Sequence, residues 1–160
     1  MAEVFPGGVI LALDWGLARV GVAACDPGRG WAYPVRTLVA GPGLWDDLAG
    51  VVAEVGPAVI VVGDPRRLDG TIGPAAENVR TQARRLADLV RLPVWLVDER
   101  MTTRQAQRRL HGVGRTVKSG RGVVDTVAAV GILESVLRAL NEGHVIGQKL
   151  ESEDACGETQ

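Results

Sequence analysis

Three groups of acids stand where apolar runs stop or start. Val9–Leu13 ends at Asp14, with Gly16 two positions on. Asp98-Glu99 follows "VWLV", and Asp125 lies within "GVVDTVAAVGIL", in the expected first turn of a long apolar helix. Each acid alone has an ordinary explanation: Asp-x-Gly opens turns, and acids favour helix N-termini. Together they suggest convergence, because all three terminate buried-type segments and none has a helical salt-bridge spacing. Two carboxylates about 4 Å apart repel by roughly 4 kcal/mol at an effective dielectric near 20, so a converging set needs a compensating cation. With two histidines and two cysteines in the chain, the ligands would be oxygens, which select Mg²⁺ or Mn²⁺. Such ions suit phosphodiester cleavage by an activated water. Gly16 would let the backbone pass close to metal and phosphate.

Charge distribution points to the same class of substrate. Net charge is −1, yet the segment from Arg100 to Arg121 carries seven cations and no acid. Arg100, Arg104 and Arg108 recur every four residues, one stripe of a helix. Lys118 and Arg121 come just before Asp125. Together with Arg19, these cations are expected to position a polyanionic backbone beside the acids. A solvated helix face in an arginine-biased chain is the plainer alternative. Past Glu142 the balance turns acidic.

The elements that would mount these groups follow from apolar period. Val9–Leu13, Arg19–Cys25 and Trp31–Leu38 read as three strands on short connections, hence antiparallel. The cluster Asp26-Pro27-Gly28-Arg29-Gly30 separates the second from the third. Leu44, Leu48, Val51, Val52 and Val55 mark a helix that Gly56-Pro57 stops. Ala58–Val62 is a buried-type strand and residues 74–90 a helix. Pro93–Val97 is a fifth strand, and a helix is expected from Thr102, which has capping-box spacing to Gln105. Residues 122–140 form the last helix, in which Ala128, Ala129 and Gly131 allow close approach to a sheet. The expected fold is α/β. A mixed five-stranded sheet, three antiparallel strands and then two parallel ones reached through helical crossovers, is flanked by helices.

At 160 residues the chain suits one domain. Residues 1–142 are expected to form it, and residues 143–160 an acidic, disordered tail. Cys25 lies in an apolar run and Cys156 in the tail, a pattern for a reducing compartment rather than a disulfide. No basic leader and no apolar stretch of about 18 residues is present. The expectation is a cytoplasmic protein with no membrane partner.

Four ordered motifs, "LDWGLARVGVA", "VVGDPRRLDGTIG", "VDERMTT" and "VVDTVAA", resemble those of the YqgF family, also called RuvX. The resemblance covers about residues 8–140. It implies an RNase H-like fold related to Holliday-junction resolvases. It also implies that Asp14, Glu99 and Asp125 are a metal-binding catalytic triad, with Asp98 the supporting neighbour and Arg100 its cation. The implied activity is a nuclease maturing the 5′ end of pre-16S ribosomal RNA, with resolution of branched DNA as the alternative. Two positions depart from the family pattern. Asp64 replaces an apolar residue, placing an extra acid near the expected phosphate path, and Trp15 replaces a smaller aromatic.

Other classes are less well matched. A nucleotide-binding ATPase or sugar-kinase-like protein shares the Asp-x-Gly hairpin but needs two such domains. A non-catalytic RNA-binding module would have no use for the acids. The expected partner is nucleic acid, structured RNA or branched DNA, bound by a monomer or a homodimer.

Overall fold

The computed structural model describes residues 5–67, 69–99 and 121–150, with side chains in the last stretch from Thr126 onward. The helix expected from Thr102 lies outside the described residues.

Six strands form one mixed sheet in the order β3-β2-β1-β4-β5-β6. β1 (Ile10–Trp15) pairs antiparallel with β2 (Arg19–Cys25), which pairs antiparallel with β3 (Ala32–Val39). On its other side β1 pairs parallel with β4 (Val59–Asp64), and β4 parallel with β5 (Val94–Asp98). The two-residue strand β6 (Gln148–Lys149) adds antiparallel to β5. The sheet therefore has six strands, not five, and the segment expected to be a disordered tail contributes the sixth. Its Leu150 amide donates to the Val94 carbonyl at 2.8 Å, covering an edge that would otherwise present unpaired backbone groups.

Between the strands run α1 (Leu44–Val55) and α2 (Pro74–Val90), and α3 (Arg121–Asn141) follows later. α1 ends as its sequence predicts. Gly56 takes φ 66° and its amide donates to the Val52 carbonyl at 2.8 Å, a left-handed cap that glycine adopts without strain. α2 opens with Pro74 in its first turn, where the missing N–H is harmless.

Both sheet faces are covered, and strand alternation sorts the core into two layers. Leu11, Leu13, Val20, Val22, Ile60, Val62, Val94 and Leu96 pack against α1 and α2. Ile10, Ala12, Ala23, Cys25, Val59, Val61, Trp95 and Val97 pack against α3 through Ala129, Ile132, Leu133 and Val136. This is why β1 and β4 read as continuous apolar runs rather than alternating ones. Cys25 is fully buried, as expected of a small core residue.

Three strands run further than the apolar runs that announce them. β1, β4 and β5 continue into Asp14, Asp64 and Asp98, because the ladder still has partners there: Asp14 opposes Gly21, and Asp64 opposes Asp98. The acids are thus strand residues, and the alternation decides which face each one uses.

Leu133, fully buried beneath the sheet, should cost about 2–5 kcal/mol when cut to alanine. Urea unfolding should show the midpoint fall with the slope unchanged. A midpoint near that of the unmodified protein would mean that α3 is not the main cover of that face.

Candidate functional site

Period-two alternation sends Asp14, Gly63 and Glu99 to the face that α3 covers. Asp64 and Asp98 go to the face of α1 and α2. In the sheet order β1-β4-β5, Gly63 stands between the two outer acids. Its missing side chain is a structural requirement. A Cβ there would lie 2.6 Å from Glu99 Oε1 and 2.7 Å from Ile132 Cδ1. Glu99 reaches across β4 through this gap, and a hydrogen bond joins its carboxyl to that of Asp14.

That contact changes the protonation of Glu99. Burial, the hydrogen bond to Asp14, and the charges of Asp14, Asp64 and Asp98 push its pKa from the ordinary 4.5 to about 8. With Glu99 protonated, its carboxyl donates to that of Asp14, the usual way for two close carboxyls to coexist. Both oxygens are hard donors, so the pair suits a divalent cation in place of the shared proton. Among the described residues, no three His, Cys, Asp or Glu side chains come together as a metal-binding group.

Of the remaining expected site residues, Arg19 begins β2 two residues before Gly21, the register partner of Asp14. Alternation carries it to the same face as Asp14. Asp125 and Arg121 lie in α3, whose backbone alone is described there. Asp125 is the fifth residue of α3, so it falls just past the first turn, in which no acid occurs. Arg100, Arg104, Arg108 and Lys118 lie outside the described residues. Asp98 closes β5 in register with Asp64 and contributes its charge to the shift of Glu99.

The structure gives Gly16 and Asp64 definite local surroundings. Gly16 is demanded by the β1–β2 turn: its amide donates to the Arg19 carbonyl at 2.8 Å, and a Cβ would meet that same oxygen at 2.8 Å. Asp64 faces the interior rather than solvent. It is 1% exposed, and its Oδ2 accepts from Arg66 Nε at 3.0 Å and Arg80 Nη2 at 2.9 Å. Sequence reading missed Gly63. The signal was present in "VVGDP", a glycine inside a strand where only a close approach explains it. It also missed the packing of Trp15 on Trp45, with ring centroids 5.7 Å apart.

Two consequences are measurable. Gly63→Ala should separate Glu99 from Asp14 and abolish the site's function at a modest cost in stability, read as activity against melting temperature. A fully active Gly63→Ala protein would show that the two carboxyls need not meet. Because Glu99 is raised in the fold, its contribution to stability is complete below pH 4.5 and is lost as pH approaches about 8. In chelator, the melting temperature should therefore fall across that window. Glu99→Gln should flatten the decline, and an equal decline in that variant would assign it to another group.

With this geometry in hand, comparison with known proteins places the chain. A family model described as "RuvX: Holliday junction resolvase" matches residues 8–139. A Cutibacterium acnes protein named "Putative pre-16S rRNA nuclease" is 47% identical over 137 residues, covering 85% of this chain and 86% of its own length. A protein of the same name from Moorella thermoacetica is 40% identical over 139 residues, covering 85% of this chain and 99% of its own length. Among solved structures, Thermus thermophilus RuvC in complex with a Holliday junction substrate superposes with a TM-score of 0.59 at 13% identity. It covers 87% of this chain and 99% of the RuvC chain, a likeness of fold. The match over nearly the whole domain, together with these identities, means that the chain belongs to the RuvX family.

Proposed function

We propose that the protein is a divalent-metal-dependent nuclease that hydrolyses phosphodiester bonds, acting in the cytoplasm on the 5′ end of pre-16S ribosomal RNA. The observation that carries this reading is the Asp14–Glu99 carboxyl pair bridged over Gly63, in a chain whose relatives are named "Putative pre-16S rRNA nuclease". No described helix is long and apolar enough to cross a membrane.

Asp14 and Glu99 would hold the cation, with Asp125 as the third ligand. Mg²⁺ or Mn²⁺ would supply Lewis-acid stabilisation of the phosphoryl group and lower the pKa of an attacking water. Asp14 is fixed by the β1 ladder and Glu99 by the end of β5, so neither carboxyl has to be ordered when substrate arrives. With a cation held by the pair, Glu99 would be ionised and would give up the proton it shares with Asp14. Arg19, on the same face as Asp14, would offset phosphate charge. Arg100, Arg104, Arg108, Lys118 and Arg121 would track the backbone beyond it.

The test uses the protein and its Asp14→Asn variant with Mn²⁺ or Mg²⁺, on a labelled ribosomal precursor RNA and on a four-way DNA junction. The expected result is metal-dependent cutting of the RNA that falls at least about a hundredfold in the variant, whose melting temperature stays near that of the unmodified chain. Paired nicks in the junction without cutting of the RNA would replace the substrate. Cleavage that survives Asp14→Asn would remove Asp14 from the chemistry.

A further inference from the structure

Asp64 is an ionic group buried for no purpose that the carboxyl pair explains. It lies on the opposite sheet face from Asp14 and Glu99, it is 1% exposed, and its Oδ1 has no hydrogen-bond partner. Burying an ion pair rarely improves stability over apolar packing, so its use should be sought in what it holds. It holds two arginines. Arg80 comes from α2 and is itself largely buried, whereas Arg66 comes from the loop between β4 and α2 and keeps 29% of its side chain exposed. Only the Nε of Arg66 engages the carboxylate.

Among its described residues, the loop beyond Asp64 makes several hydrogen bonds. The Arg67 amide donates to the Thr71 carbonyl at 3.0 Å, and the Gly70 amide to the Arg67 carbonyl at 2.8 Å. Asp69 Oδ1 accepts from both the amide and the hydroxyl of Thr71, at 2.9 and 2.7 Å. The Arg67 guanidinium lies against Gly73, where a Cβ would come within 2.7 Å of its Nε. Arg67 is nevertheless exposed, and among the described residues no carboxylate pairs with it. This hydrogen-bonded, doubly cationic loop emerges from β4, the strand between the two carboxyls. Arg66 is three residues past Gly63, at most about 10 Å along the chain at strand rise.

The geometry points to Arg66 and Arg67 as a phosphate-backbone contact for the nucleic-acid substrate beside the carboxyl pair, with buried Asp64 as the residue that positions Arg66. This inference rests on the nuclease reading above and adds to it a contact on the β4 side of the site. It also makes an unusual demand on sign. Were Asp64 merely an acid near the substrate, removing its charge would tighten binding of a polyanion. As an anchor, its removal frees Arg66 and weakens binding.

Binding of a labelled RNA hairpin with a single-stranded 5′ flank is measured by fluorescence anisotropy in chelator across a range of NaCl concentrations. The protein is compared with Arg66→Gln, Arg67→Gln, Asp64→Asn and, as a control of equal charge change, Arg91→Gln. Arg91 follows the C-terminus of α2, away from the acids. Arg66→Gln and Arg67→Gln should each weaken binding about fivefold at about 0.1 M salt and make the salt slope shallower by about 0.7. Arg91→Gln should leave the slope unchanged, and Asp64→Asn should weaken binding. Arginine variants that match Arg91→Gln, or an Asp64→Asn protein that binds more tightly, would overturn the inference and leave the nuclease reading standing. Failure of the unmodified protein to bind the RNA would overturn both. Should Asp64→Asn fail to fold, the two arginine variants decide the question.

Discussion

Two carboxyls of like charge share a hydrogen bond at the end of the sheet, and much of the structure can be understood as what it takes to keep them there. Asp14 and Glu99 come from strands that are not neighbours; β4 separates them. A side chain on β4 at that level would block the contact, and Gly63 removes it. Ile132 of α3 closes over the same gap, so helix packing and carboxyl contact depend on one missing Cβ. The arrangement raises the pKa of Glu99 to about 8, so the two carboxyls meet with a proton on Glu99 rather than as two close anions.

The two faces of the sheet handle their acids differently. On the α3 face, burial and the neighbouring carboxylates lead Glu99 to hold its proton. On the α1 and α2 face, Asp64 is neutralised by Arg66 and Arg80 at hydrogen-bond distance. Asp64 still reaches Glu99 electrostatically, contributing to its raised pKa. One strand end therefore serves both faces: Gly63 opens a passage on one, and Asp64 fastens a basic loop on the other. Rigid mounting of this kind suits a site whose groups must be in place before substrate arrives.

The fold was largely legible because it depends on apolar period, a local property. The helix over 74–90, the left-handed stop at Gly56 and the antiparallel-then-parallel strand order all follow from spacing and punctuation. The sixth strand was not legible. Gln148–Lys149 is polar and two residues long, and it is a strand only because β5 offers an open edge. Asp14 and Glu99 stood out because an acid ending an apolar run is conspicuous. Gly16 shows a local demand that the sequence did not single out, since a tight turn and a close phosphate ask for the same residue.

The sequence by itself determined which segments are strands and helices, and which acids and cations end up at strand termini, because periodicity and turn chemistry act over a few residues. Only the tertiary structure decided which face each acid occupies. Glu99 and Asp98 are adjacent in the chain yet serve opposite faces, and Asp64 finds Arg80 sixteen residues away. A shift of one residue in strand phase would exchange those faces. That phase is set by ladder partners such as Gly21 opposite Asp14, which no local pattern encodes.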